Sequence, residues 1–225
     1  MKKTIWVAAL AACALAARGA VPAGTRQAPK LIHAGWVTPT INELKRNVTQ
    51  IEQEAPFDGL ILHMGVTDVM NPESPMQYNG AMSRSAEAFK AIPFKQYTDN
   101  FLGVMIDQHT INWFSDTEWT NLVVNWGVAA RLAAEAGFVG LAFDPECYGV
   151  YPVTSYWQSS YYLKTDKARR AADYLAAARR RGQEVGQAIF GAYPDIKFFS
   201  FYFWSMGADL LGAFCNGLLD VMPPG

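Results

Sequence analysis

The ten residues "GLAFDPECYG" (140–149) combine an apolar run with an abrupt polar end. A short continuous apolar run predicts a strand that is buried on both faces. Directly after it stand Asp144, Pro145 and Glu146, and an aromatic residue follows at Tyr148. A strand covered on both faces needs helices on either side, which is typical of a parallel sheet in an α/β protein.

The same alternation of a short apolar strand and a helix recurs along the chain. Capping-box patterns support two of the helix starts, since Glu43 follows Thr40 and Glu118 follows Ser115 at the required spacing. The predicted strands are residues 30–36, 57–65, 100–107, 138–143 and 195–204. The predicted helices are residues 38–54, 84–91, 115–136, 164–193 and 207–221. This order predicts an α/β fold with a parallel sheet and right-handed crossovers.

Two architectures fit about five strand–helix units. A closed (β/α)8 TIM barrel typically needs about 250 residues, whereas this chain has 225. The turn residues Pro223, Pro224 and Gly225 after the last helix are typical of a chain that enters another strand. We therefore expect residues 30–225 to form a TIM-barrel-like domain that is incomplete and truncated at its C-terminal end. The alternative is an open parallel α/β sheet.

The N-terminus has the pattern of an export signal. Two lysines precede an apolar, alanine-rich run at residues 5–17, and small residues that suit cleavage follow. We expect a signal peptide at residues 1–23, a linker at residues 24–29 and export to the periplasm or the extracellular space. The apolar run is shorter than the roughly 20 residues that span a bilayer, so no stable membrane span is expected after cleavage. Lipoprotein anchoring at Cys13 is an alternative.

Nucleic acid and metal ions are not expected as ligands, for reasons of charge and of residue spacing. With 19 basic and 20 acidic residues the net charge is −1, so the chain has no basic field that would attract nucleic acid. The arginine run at 179–181 is predicted to be a solvated helix face. Cys147 and Cys215 lack metal or redox spacing, and the histidines form neither HxH nor HExxH, so we expect no metal and no cofactor.

Asp144 and Glu146 are the leading catalytic candidates. Residues two apart share one side of an extended strand, and Pro145 favours an extended backbone at Asp144. In both α/β architectures the carboxyl ends of the strands form the functional rim. Neighbouring carboxylates favour protonation of one of the two, which can then act as a general acid. Alternatively, the two acids cap the following segment or pair with arginine or lysine.

Polar and aromatic side chains follow the other predicted strands as well. A lone histidine on an apolar strand is more often a hydrogen-bonded core residue than a ligand. Together, however, these side chains would meet at one edge of a parallel sheet, where substrate binds. Aromatic rings in the loop after the fourth strand could stack on sugars. The candidates are His33, Trp36, His63, Asp68, Asp107, His109 and Trp113 after the first three strands, and Tyr148 and Trp157 in that loop.

Three segments resemble a known group of proteins: "PFDGLIL" (56–62), "VAARLAAEAGFVGLAFDPE" (128–146) and "NGLLDVMPPG" (216–225). They are similar to secreted, uncharacterised bacterial proteins described as glycoside-hydrolase-like TIM barrels. The resemblance covers residues 30–225. It implies a barrel fold, export, a carbohydrate substrate and a chain that continues beyond Gly225.

A looser resemblance is to chitinase-like barrels, whose fourth strand ends in an acidic DxxDxDxE run. Only the final D-x-E is present, as Asp144 and Glu146, while Val139 and Ala142 occupy the positions of the first two aspartates. The resemblance implies that Glu146 is the general acid, without the aspartates that tune it. Retaining barrel glycosidases also carry their nucleophile on a seventh strand, which the five predicted strands do not include.

These observations predict an exported glycoside hydrolase that acts on a poly- or oligosaccharide by carboxylate general acid/base catalysis. Glu146 is the expected acid/base, Asp144 orients it, and Asp107 or Asp68 is the candidate second carboxylate. The tryptophans and Tyr148 would line the sugar cleft, and the three histidines would bind substrate. One alternative is a catalytically inactive barrel that binds glycan. Another is that the acids have a purely structural role.

Overall fold

The computed structural model describes residues 29–35, 38–66, 68–106, 109–147, 155–201 and 208–224. Within these residues the fold is α/β, and every strand pairs in parallel. The strands are β1 (Ile32–His33), β2 (Gly59–Leu62), β3 (Phe101–Ile106), β4 (Gly140–Cys147) and β5 (Lys197–Ser200). The α-helices are α1 (Ile41–Glu54), α2 (Gly80–Lys90), α3 (Asp116–Ala136), α4 (Ser159–Tyr162), α5 (Ala171–Ala192) and α6 (Asp209–Asp220). In the described part of the chain, no helix combines the length and the apolarity that a bilayer span requires.

The predicted alternation of parallel strands and helices is confirmed. The five strands fit the open parallel α/β alternative, and closure into a TIM barrel stays a prediction. The starts of α2 and α5 differ most from the sequence expectation. α2 starts earlier, at Gly80, because the Asn79 side chain accepts hydrogen bonds from two amides of its first turn. α5 starts later, at Ala171, because the Asp173 carboxylate accepts the Arg170 amide and caps the helix there.

The described chain forms two compact units. The first contains the described residues up to Ile61 together with Ile92–Asn100, and the second contains Leu62–Ala91 and the residues from Phe101 onward. The unit boundary therefore falls at the last residue of β2.

In the first unit, β1 pairs with β2 and α1 lies between them in the chain. The predicted capping box starts α1: the Glu43 amide donates to the Thr40 hydroxyl at 3.2 Å, and the Thr40 amide donates to the Glu43 carboxylate at 2.8 Å. The hydrogen bonds from Thr40 lower the pKa of Glu43. Leu44 and Val48 form the buried side of the helix.

Glu52 joins α1 to the segment that precedes β3. The amides of Lys95, Gln96 and Tyr97 donate to its carboxylate at 3.0, 2.8 and 2.9 Å. Glu52 is only 7% exposed. A buried carboxylate is costly unless hydrogen-bonded, and these three donors replace the water that it loses.

In the second unit, β3, β4 and β5 pair in that order, and helices cover one face of the sheet. Trp126 of α3 packs edge-on against Phe143 of β4, with ring centroids 4.9 Å apart. Phe198 of β5 lies beside both rings. The aromatic core continues through the buried side chains of Trp113, Trp119, Trp157 and Phe214.

Helices α5 and α6 cross at two glycines. A Cβ atom on Gly182 would overlap the carbonyl oxygen of Phe214, and a Cβ atom on Gly217 would overlap the carbonyl oxygen of Arg179. The two glycines also face each other, since a Cβ on Gly217 would lie 2.9 Å from the Cα atom of Gly182. The backbones therefore touch, and no larger residue fits without a shift of the helices.

The arginine run at 179–181 is not uniformly solvated. Arg181 is 3% exposed and donates to Asp116 at 2.5 Å and to Glu184 at 2.8 Å. Its guanidinium also lies over the Trp119 ring, 5.4 Å from the centroid. The solvated-face prediction is therefore wrong for Arg181, because two carboxylates and an aromatic face compensate for the burial of its charge. The prediction holds for the two preceding arginines, whose side chains are 56% and 51% exposed.

Replacing Glu52 with glutamine should lower the free energy of unfolding by about 2 kcal/mol, because the charged acceptor is lost and an NH2 group replaces Oε2, which lies 3.3 Å from the Lys95 amide. The matched control is Glu54→Gln, since Glu54 is exposed and accepts a bond from Gln50. The control should change stability by at most about 0.5 kcal/mol. Urea unfolding measures both variants, and equal midpoints would show that the three amides contribute nothing to stability.

Replacing Gly182 with alanine should destabilise the protein by about 1–3 kcal/mol, because the new methyl group forces α5 and α6 apart. Gly212 provides the control, since it lies in α6 and a Cβ there would meet nothing within 4 Å. Gly212→Ala should stabilise the helix by roughly 0.5–1 kcal/mol. The same sign of effect in both variants, measured by thermal unfolding, would contradict the close crossing.

Candidate functional site

The sheet of the second unit presents two different faces. Phe143 contacts Trp126 of α3, so Val104, its partner in register on β3, also points toward the helices. Side chains alternate along a strand, so the neighbouring residues point the other way. The opposite face, here called the site face, carries Gly103 and Met105 of β3 and Ala142 and Asp144 of β4.

A row of three residues crosses the site face near the carboxyl end of β3. Asp68 forms a parallel bridge with Met105, and the Val69 amide donates to the Met105 carbonyl at 3.3 Å. On the other side, Met105 is in register with Asp144. Partners in register on parallel strands point to the same face, so Asp68 and Asp144 flank Met105. Adjacent strands are about 4.8 Å apart, which puts the Cα atoms of the two aspartates about 10 Å apart.

β4 leaves the regular ladder directly after Asp144. Two consecutive residues of β3 pair with Asp144 and Cys147, so Pro145 and Glu146 are extra residues, as in a β-bulge. The expectation that Asp144 and Glu146 share one side assumed a regular extended strand. Because the ladder is interrupted between them, strand alternation does not determine the side on which Glu146 lies.

Two hydrogen bonds fix the shape of this bulge. The Glu146 amide donates to the Asp144 carboxylate at 3.1 Å, and the Trp157 indole donates to the Pro145 carbonyl at 2.8 Å. Trp157 is buried, whereas Asp144 and Glu146 are both partly exposed. The backbone under Glu146 is therefore held from both sides, and the two acids remain accessible to a ligand.

Asp68 also holds a histidine. The His109 ring nitrogen Nε2 and the Asp68 carboxylate are 2.7 Å apart, and the two side chains are 20% and 21% exposed. The second oxygen of Asp68 accepts the Met70 amide at 3.3 Å. The structure thus brings two residues that were predicted from different strand ends into direct contact.

His63 lies over β3 on the site face. Its Nδ1 donates to the Gly103 carbonyl at 3.0 Å. A Cβ atom on Gly103 would come within 2.5 Å of the His63 ring. The position of the ring therefore depends on the absence of a side chain at Gly103.

Trp113 and Trp157 were predicted to line a sugar cleft, but both indole rings lie in the core. They are 0% and 1% exposed, and their centroids are 5.8 Å apart. Neither ring offers an exposed face on which a sugar could stack. Trp157 acts on the site indirectly instead, through its hydrogen bond under the bulge.

The remaining predicted residues have different outcomes. Trp36, Asp107 and Tyr148 lie outside the described residues. His33 belongs to the first unit, where its ring stacks on Phe57 with centroids 5.0 Å apart. The second unit contains the others, which are His63, Asp68, His109, Asp144 and Glu146.

Two phenylalanines of the fifth strand region were missed in the sequence. Phe199 is in register with Ala142 and is 45% exposed, and the Phe201 amide extends the ladder by donating to the Phe143 carbonyl at 2.9 Å. The rings of Phe199 and Phe201 meet edge to face, 5.0 Å apart. Their spacing in "KFFSF" (197–201) was the available signal, since residues two apart share a strand face.

Cysteine and the possible metal-ligating side chains were also located in the part of the chain that the structure describes. No group of three or more His, Cys, Asp or Glu side chains there could hold a metal ion. Cys215 is a free, buried thiol, and burial raises its pKa to about 12. The thiol therefore stays protonated at neutral pH and is not a nucleophile.

Comparison with known proteins identifies no relative. No protein-family model matches the chain, and neither the curated proteins nor the solved structures contain a match.

Replacing Gly103 with alanine should cost about 1–3 kcal/mol of stability, because the methyl group would collide with the His63 ring. In a His63→Ala background the same substitution should cost much less, since the colliding ring is gone. Urea unfolding of the four proteins in this double-mutant cycle measures the difference. Equal costs in the two backgrounds would show that the ring is not the obstacle.

Proposed function

We propose that this protein is an exported hydrolase that cleaves glycosidic bonds in a poly- or oligosaccharide by carboxylate general acid/base catalysis. The observation that carries the proposal is the row in which Asp68 and Asp144 flank Met105 on one face, with Glu146 on the adjoining bulge. The lysine-led apolar leader at residues 1–23 supports export.

The position of the row favours catalysis over a structural role. The row lies toward the carboxyl ends of parallel strands, which is where α/β proteins place their active sites. Glycoside hydrolysis uses two catalytic groups on either side of the bond that breaks, a proton donor and a partner that attacks or activates water, and in most families both are carboxyl groups. The Cα atoms of Asp68 and Asp144 are about 10 Å apart, so Asp68 lies across the row from the bulge that carries Glu146.

Glu146 is the proposed general acid. Its backbone is held by Asp144 and, through the Pro145 carbonyl, by Trp157. A fixed backbone limits the region in which the carboxyl group can lie, which favours general acid catalysis because the proton is transferred over hydrogen-bond distance. Asp144 is then a positioning residue, since its carboxylate accepts a hydrogen bond from the Glu146 amide.

The site face also suits a sugar ring. Gly103 and Ala142 are buried, so the accessible part of this face lies at Phe199, which is 45% exposed, and at the partly exposed Asp144. Aromatic ring faces pack against the C–H faces of sugars. We therefore assign substrate stacking to Phe199 and Phe201 in place of the buried Trp113 and Trp157.

Glu146→Gln should slow hydrolysis at least about 100-fold, because the leaving oxygen no longer receives a proton, while the unfolding midpoint stays unchanged. The assay is the release of reducing ends from xylan, β-glucan, pectin and chitin oligosaccharides by the full-length protein. Glu87→Gln is the control, since Glu87 is exposed on α2.

Two results would contradict the proposal. A wild-type rate in Glu146→Gln would remove this residue from the chemistry. Binding of one of these polysaccharides without cleavage of any would favour the inactive glycan-binding barrel.

A further inference from the structure

The contact between Asp68 and His109 has the geometry of a proton-transfer pair. His109 Nε2 lies 2.7 Å from a carboxylate oxygen of Asp68. A carboxylate only accepts hydrogen bonds, so Nε2 carries the proton that lies between the two groups. In a neutral imidazole the other nitrogen, Nδ1, is then unprotonated and can accept a proton.

Nδ1, the outer ring nitrogen of His109, is the atom that would take up a proton. Among the described residues, the His109 ring has no hydrogen-bond partner besides Asp68. Its side chain is 20% exposed, so the ring is partly shielded and still open to a small molecule such as water.

Asp68 is itself fixed relative to the proposed catalytic acids. Its bridge to Met105 and the hydrogen bond from the Met70 amide hold it against β3. Met105 is the residue that lies opposite Asp144. The histidine is therefore attached to the same row of residues that ends beside Glu146.

The other histidine next to β3 is held differently. His63 donates Nδ1 to a backbone carbonyl, that of Gly103. A carbonyl is neutral, whereas the Asp68 carboxylate carries a charge that stabilises the imidazolium formed when the ring takes up a proton. Of these two rings, His109 is the one built to act as a base.

We propose that His109 is the base that activates the attacking water and that Asp68 positions it; this inference rests on the proposed hydrolase function. One water proton moves to Nδ1 of His109 while the water oxygen forms a bond to the anomeric carbon. The glycosidic C–O bond breaks, and its electron pair stays on the leaving oxygen, which takes the proton of Glu146. A single displacement of this kind inverts the anomeric configuration.

The first test needs no substrate. Long-range ¹H–¹⁵N NMR spectra of the wild-type full-length protein report which nitrogen of each of the three histidine rings carries the proton. We expect the neutral His109 ring to be protonated at Nε2, and Asp68→Ala to abolish that preference. A neutral ring protonated at Nδ1 in the wild type would overturn the proposal, whatever the folding of the variants.

The second test uses the polysaccharide that the wild-type protein cleaves. His109→Gln should lower kcat at least about 100-fold with little change in KM, and ¹H NMR of the fresh product should show the anomer opposite to that of the substrate. Glu87→Gln again serves as the control.

The outcomes separate the two proposals. A wild-type kcat in His109→Gln would overturn the role of His109, and so would a product that retains the anomeric configuration. The hydrolase proposal would still stand in either case, provided that Glu146→Gln is inactive. A wild-type rate in Glu146→Gln would overturn the hydrolase proposal and this inference with it. The same holds if no polysaccharide is cleaved.

Discussion

The parallel register between β3 and β4 is the constraint on which the candidate site depends. It places Met105 opposite Asp144, and the bridge from Met105 to Asp68 completes the row. A slip of one residue would turn Asp144 into the layer where Phe143 packs on Trp126. A carboxylate there would lose water without gaining partners, at a cost of several kcal/mol. The aromatic packing on the helix face therefore fixes what the other face presents.

The features that depend on neighbouring residues could be predicted from the sequence. The capping box at Thr40 and Glu43 forms as expected, because its hydrogen bonds join residues within one turn. The buried apolar strand of residues 140–143 also forms, because continuous apolarity reports burial on both faces. Asp144 follows this apolar run as predicted, but the strand does not end there, since β4 continues to Cys147, and Asp68 lies in an isolated bridge after β2.

The features that depend on distant partners could not be predicted. The bulge at Glu146 is stabilised by Trp157, whose indole donates a hydrogen bond to the Pro145 carbonyl. No local sequence pattern predicts this hydrogen bond. Arg181 stands in a polar run, yet Asp116, 65 residues away, makes its burial possible. The tryptophans show the same limit, since a ring suited to stacking on a sugar is equally suited to packing in a core. Tertiary packing alone decides between the two.

The two histidines beside β3 show how one residue type acquires different chemistry from its partner. Among the described residues, the His63 ring is oriented by its hydrogen bond to the Gly103 carbonyl, and the His109 ring by its hydrogen bond to Asp68. A carbonyl orients the ring but offers only a dipole to a developing positive charge. A carboxylate orients the ring and compensates that charge in full. The register that aligns Asp68 with Met105 thus determines the position of a residue and also which histidine can carry a proton during a reaction.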